Sequence, residues 1–314
     1  MDPTVLDRLC AGDHVCGVYD DDEQRLGVVT GAISSGLRAG ERVVVATAQP
    51  VDAFLDDLAR RGVDVGVFGD RGQLEVTFSQ SGYLRAGKID HGEILSRWRT
   101  RTAEALDAGY TGLRAVGDLG MAPVAAVGPG RLRSCEAMVN RVFAALDLSV
   151  VCVYDQRTLR PEDLDHIICA HPATLEPWDD ANWKPLLRMR HTSCPPGLRM
   201  IGEADFSNGE ALAAVLAGLP EDVSPDGPLI VDLAELRFAD AATGRLLIKA
   251  ALTWPTGMRI VGCRRPVARL LKLLGGGWIP GVRVPGERPA AGAVPSGGPG
   301  GGPGGGPGVG PVTR

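Results

Sequence analysis

The sequence predicts an α/β protein of two domains, on three observations. Apolar β-rich runs alternate with helical patterns, a smaller copy of that alternation follows a Pro-Pro-Gly break, and the last stretch is almost wholly Gly, Pro, Ala and Val. Arg42-Val43-Val44-Val45-Ala46-Thr47, Leu74 to Phe78, Leu113 to Val116 and Val150 to Tyr154 read as buried strands. Helices separate them. The clearest places Cys135, Met138, Val139, Val142, Phe143 and Leu146 on one face, and a second carries Ile94, Leu95, Trp98, Ala105 and Leu106. Alternation of this kind specifies a mostly parallel sheet with helices on both faces, and directs attention to the carboxyl ends of the strands as the place for a ligand.

After the break at His191-Thr192-Ser193-Cys194-Pro195-Pro196-Gly197 the expected order is a strand at Leu198 to Ile201, a helix over Asn208 to Ala217 and a strand at Leu229 to Leu233. A helix from Ala242 to Leu252, a strand at Met258 to Val261 and a helix through Val267 and Leu274 complete it. The expected domains are therefore 1–190 and 191–285. The tail 286–314 has too little apolar surface to offset its ordering entropy and is expected to be disordered.

Composition narrows the function classes. Apolar residues at 44% and charged residues at 23% are ordinary for a globular protein, and a net charge of −5 gives no electrostatic footprint for nucleic acid. Acids near the N-terminus (Asp2, Asp7) speak against an export signal, and no run approaches the roughly 18 apolar residues of a membrane span. Seven cysteines scattered through apolar segments fit reduced thiols, so a cytoplasmic location is expected.

Three segments stand out in order: Ile201-Gly202-Glu203-Ala204-Asp205, then Leu229-Ile230-Val231-Asp232-Leu233 running on to Asp240, and Arg265-Pro266-Val267-Ala268-Arg269-Leu270-Leu271. With them, residues 197 to 280 resemble the STAS, or anti-sigma-factor antagonist, family. The resemblance implies a partner of the anti-sigma-factor or serine-kinase type. It also implies an Asp-Ser-Ser-Gly turn whose second Ser is phosphorylated at a helix N-terminus, where added negative charge is stabilised. Here the turn reads Asp240-Ala241-Ala242-Thr243-Gly244. Counting from the Asp places that position at Ala242, and counting back from the Gly places it at Thr243. Asp205, Asp240 and Thr243 are the expected partner-binding or switch residues; the alternative is that Asp240 and Thr243 serve as helix-start residues.

Asp13-His14-Val15-Cys16-Gly17-Val18-Tyr19-Asp20-Asp21-Asp22, Gly36 to Val43, Val153-Tyr154-Asp155 and Ile168-Cys169-Ala170-His171-Pro172 give residues 10 to 176 a second likeness. On these segments they resemble the MEDS sensory family, related in fold to RecA-like ATPases. Val15 to Tyr19 reads as a first strand, the acidic run as a turn, and Arg25 onward as a helix. That turn has neither the glycines nor the Lys of a phosphate loop. A degenerate nucleotide-binding protein or ATPase, with Mg²⁺ on Asp20, Asp21 or Asp22, is the alternative reading.

The candidate ligand-binding residues are His14, Cys16, Tyr19, Tyr154 and His171. His14 and Cys16 lie two apart on one strand face, and Cys169 and His171 repeat the spacing. Two Cys and two His can form a tetrahedral zinc site if the segments meet, but a small-molecule pocket is favoured and no metal or cofactor is expected. With no trusted nucleophile–base or acid pair, a sensor joined to a partner-binding module is expected rather than an enzyme.

Overall fold

The structure is a computed structural model, and it describes residues 6–78, 91–118, 128–175, 185–223 and 227–276. The tail from Gly286 lies outside the described residues.

The first sheet is six-stranded and parallel. Its strands are β1 (His14–Tyr19), β2 (Arg42–Thr47), β3 (Leu74–Phe78), β4 (Leu113–Asp118), β5 (Leu148–Asp155) and β6 (Ala173–Thr174), in the order β3-β2-β4-β5-β1-β6. Every residue of β1 and β5 is buried, as expected of central strands covered on both sides. Side chains alternate between faces. Val15, Tyr19, Val151 and Val153 point to the side packed by α1 (Asp22–Arg38) and α2 (Val51–Arg60). Cys16, Val150, Cys152 and Tyr154 point to the side packed by α4 (His91–Asp107), α5 (Pro129–Phe143) and α6 (Pro161–Cys169). A short α3 (Val65–Asp70) precedes β3.

Helix α1 begins three residues before Arg25, because Asp21 caps it: its carboxylate accepts the Gln24 N–H at 2.8 Å. Helix α5 begins at Pro129, in the N1 position where its missing N–H costs nothing, behind Gly128 at φ +79°.

The second sheet has the order β10-β9-β8-β7, made of β7 (Leu187–Ser193), β8 (Pro196–Ala204), β9 (Leu229–Ala239) and β10 (Met258–Val261). β7 and β8 form an antiparallel hairpin; β8, β9 and β10 run parallel. The Pro-Pro-Gly segment is thus the hairpin turn inside the second unit rather than a linker before it, and that unit begins with β7. Helices α7 (Gly209–Asp222), α8 (Ala241–Thr253) and α9 (Arg265–Leu273) complete a ββαβαβα unit around Leu198, Met200, Leu212, Val231, Leu247 and Val267.

The two units share a packed boundary. Ala144, at the end of α5, belongs to the second core, and its carbonyl accepts the His191 N–H at 2.8 Å. Arg133 forms a two-pronged ion pair with Glu210 of α7, and Arg141 meets Glu221 at 2.7 Å. Arg188 of β7 grips the buried Asp13 carboxylate with two hydrogen bonds, at 2.8 and 2.9 Å.

Candidate functional site

Four segments converge beneath α5. His14 opens β1, Cys152 sits mid-way along β5, Glu136 projects from α5, and His171 follows α6. All four are buried, and their ligating atoms lie within 4.8 Å of one another. His14 Nε2 is 3.4 Å from Glu136 Oε2 and 3.5 Å from Cys152 Sγ; His171 Nε2 is 3.7 Å from the same carboxylate oxygen. The imidazole rings stand 4.1 Å apart, with Phe143 edge-on to His14 at 5.0 Å.

Surrounding groups fix the orientation of each. Asn140, one turn after Glu136, uses its amide nitrogen on the carbonyls of Glu136, Ala137 and Ala170 at 2.8 to 3.0 Å. Its amide oxygen is therefore the atom facing His14 Nδ1, at 2.9 Å, and His14 must donate there. His171 Nδ1 faces the Ile167 carbonyl at 2.8 Å, again a pure acceptor. In the neutral tautomer that each of these bonds selects, Nε2 carries a lone pair into the cluster, and that of His171 has no hydrogen-bond partner. Tyr154 donates to Glu136 Oε1 at 2.9 Å, which turns Oε2 toward the two rings.

The electrostatics follow from burial. Burial drives the His171 pKa down to about 3, helped by His14, so this imidazole is neutral. The Cys152 thiol and the Tyr154 phenol are pushed far up by burial, with the Glu136 charge adding to both. Burial alone would raise Glu136; imidazole protonation, with a hydrogen bond from His14, and the Tyr154 hydroxyl outweigh it and hold the carboxyl below its usual range, so this lowering belongs to the cluster with a proton at Nε2 and not to the neutral tautomers. Two imidazoles, a carboxylate and a sulfur make a donor set able to hold a transition metal.

Beside the cluster lies a small cavity of about 80 Å³ that opens to solvent, as bounded by the described residues. Val45, Ile94, Trp98, Ala115 and Val116 give it an apolar wall, and Arg97 and Arg101 border it. Glu136 and Cys152 line the cavity as well as the cluster.

A family model for the methanogen/methylotroph DcmR sensory domain, MEDS, matches residues 13–172, just over half of the 314 residues. The chain belongs to the MEDS family. The match runs from Asp13 to Pro172, so all four cluster residues lie within the matched segment, and the chain has a sensory, signalling role. The comparison with curated proteins returns no match.

Of the candidate ligand-binding residues, the MEDS sheet brings His14, Tyr154 and His171 together. Cys16 is buried on the same face, next along β1. Tyr19 lies on the opposite face, because it stands five positions after His14, an odd offset, and strand side chains alternate; there it stacks under Arg157 at 5.7 Å. Cys169, only half-buried, feels Glu210 and Arg133 at the boundary with α7 rather than the cluster. Glu136, Cys152 and Asn140 were not among the candidates.

The carboxyl edge of the sheet, where the topology directed attention, holds a charge network. Arg25 pairs with buried Asp118 at 2.6 Å, Thr47 donates to the same carboxylate at 3.1 Å, and Arg157 bridges Asp155 and Asp22. Asp21 takes an amide at the start of α1, and Asp22 and Glu23 add negative charge, so this edge presents carboxylates where a phosphate would need donors. Among the described residues no helix is long and apolar enough to cross a membrane.

In the second unit, Asp240 is the N-cap of α8, accepting the Thr243 N–H at 2.7 Å. The Thr243 hydroxyl is buried and donates to the Ala204 carbonyl at 3.0 Å, while Ala242 is exposed. Asp205 closes a local turn through Ser207. Asp240 is thus the helix-start residue expected, whereas the Thr243 hydroxyl satisfies a carbonyl of β8 rather than helix amides.

Proposed function

We propose that this chain is a cytoplasmic signal-transduction regulator that works by binding rather than catalysis. A small, mostly apolar ligand occupies the cavity beside Glu136 and Cys152, and the STAS-like unit conveys the bound state to a partner of the anti-sigma-factor or serine-kinase type.

The observation that carries this reading is the placement of α5. One face sends Glu136 and Asn140 into the cluster, while Arg133 and Arg141 reach α7 of the second unit. A second tie runs from Arg188 to Asp13, the residue before His14. A ligand that moves α5 therefore has differential contacts to report. The ββαβαβα order and the Gly202-Glu203-Ala204-Asp205 and Asp240 turns support the STAS-like assignment. Exposed Phe206 and Phe238, at the ends of adjacent strands β8 and β9, suit a protein partner. The buried Thr243 hydroxyl favours a module read without phosphorylation.

The test is a thermal-shift screen of the full chain against short-chain alcohols, aldehydes and carboxylates, with hits followed by hydrogen exchange. At a hundredfold excess over Kd a hit stabilises by about 2.7 kcal/mol. Ala115→Phe, which fills the cavity, is expected to abolish that gain, and exchange in 209–222 is expected to change on binding. Hits that stabilise the variant equally would put the ligand elsewhere, and unchanged exchange in 209–222 would refute the relay.

A further inference from the structure

The four donors of the cluster have the arrangement of a coordination shell. A tetrahedral ion with arms of about 2.0–2.3 Å requires ligand-to-ligand edges of about 3.3–3.8 Å. Of the six edges, three fall in this range, at 3.4 Å and 3.7 Å from Glu136 Oε2 to the two imidazoles and 3.5 Å from Cys152 Sγ to His14, and the two from His171 Nε2 to His14 and Cys152 are within 4.8 Å. The edge from Sγ to Oε2, at 3.9 Å, lies just beyond the range.

The surrounding hydrogen bonds favour a cation. Each imidazole donates its Nδ1–H to a carbonyl or carboxamide oxygen and aims an Nε2 lone pair inward, the arrangement that orients metal-binding histidines. With both lone pairs, a carboxylate and a sulfur converging in a buried space, repulsion dominates unless positive charge sits among them. One proton on His14 would satisfy a single pair and leave His171 Nε2 facing its neighbours without a partner.

We propose that the MEDS domain binds one transition-metal ion of the Zn²⁺ class through His14 Nε2, Glu136 Oε2, Cys152 Sγ and His171 Nε2. A thiolate and a carboxylate neutralise a divalent ion, which suits a buried site. Coordination deprotonates the Cys152 thiol that burial otherwise keeps protonated. The nitrogen and sulfur ligands select Zn²⁺ or Co²⁺ over Mg²⁺ and Ca²⁺, which require oxygen. Four protein ligands leave no position for a reactive water, so the ion fixes structure or senses rather than hydrolyses. This goes beyond the ligand reading above and stands whether or not the cavity is used.

The full chain, stripped with a chelator and titrated with Co²⁺, provides the test. The expected result is one Co²⁺ per chain, the intense visible bands of a tetrahedral site and a thiolate-to-cobalt charge-transfer band in the near ultraviolet. Cys152→Ser should remove the charge-transfer band, whereas Cys16→Ser, at a buried cysteine outside the set, should leave it intact. Circular dichroism confirms that each variant is folded, and if Cys152→Ser does not fold, the wild-type stoichiometry and the Cys16→Ser spectrum decide. A wild-type chain that takes up no Co²⁺, or a charge-transfer band lost in Cys16→Ser or surviving Cys152→Ser, overturns the proposal.

Discussion

Replacing Thr243 distinguishes a buried residue bonded to β8 from a phosphorylation switch. In Thr243→Val the shape is kept and one hydrogen bond is lost, from the hydroxyl to the Ala204 carbonyl at 3.0 Å. That carbonyl keeps the Asp240 N–H at 3.1 Å, so no acceptor is orphaned and the loss should be about 1 kcal/mol. Thr243→Glu is different, because it forces a carboxylate into a site where the native side chain is 1% exposed. The partial charge at the N-terminus of α8 returns at most about 1 kcal/mol. Desolvation outweighs this, and the net destabilisation should be roughly 3 kcal/mol or more. Hydrogen exchange over 196–271 in the full chain reads the second unit alone, which matters because two units need not unfold together. Exchange through opening should accelerate about fivefold in Thr243→Val and on the order of a hundredfold in Thr243→Glu. A Thr243→Glu chain that exchanges like the wild type would show that the hydroxyl is accessible in solution, and would return Thr243 to the role of phospho-acceptor.

Other perturbations probe the remaining parts of the argument. Asn140→Leu removes the acceptor that orients His14, so Co²⁺ affinity measured by competition with a chromophoric chelator should fall about 10- to 100-fold; unchanged affinity would mean that His14 is held by other means. Asp118→Asn breaks a buried ion pair and strands the Arg25 guanidinium, and urea titration should show a loss of about 3–5 kcal/mol. Arg133→Glu at the half-exposed boundary should cost up to about 1 kcal/mol and be rescued by Glu210→Arg, and a double-mutant cycle with no coupling would refute the contact.

The fold was legible in the sequence because strand and helix periods leave strong marks. The runs at Val43, Val116 and Val150 could be buried nowhere but in a covered parallel sheet, and the stripe from Cys135 to Phe143 became the inner face of α5. The Pro-Pro-Gly segment misled because turn chemistry looks the same inside a hairpin as between domains. The site was legible in part. The pairing of His14 with His171 followed from their resembling segments, and Tyr19 could have been set apart by strand parity alone. Glu136 and Asn140 were harder to see. They flank an apolar stripe at i, i+4, where a carboxylate and an amide ordinarily face solvent, and only the arrival of β1, β5 and the residues after α6 encloses them. Cys152 looked like one more small hydrophobe among valines.

Helix α5 serves two contacts at once. Turning it by a single residue, about 100°, would withdraw Glu136 from the imidazoles and Arg133 from Glu210 in the same motion. Sequence drift along Pro129–Phe143 is accordingly constrained twice over, once by the chemistry of the cluster and once by the fit to α7. A substitution that improves one fit at the expense of the other would alter how faithfully a signal is transmitted, even with both halves still folded.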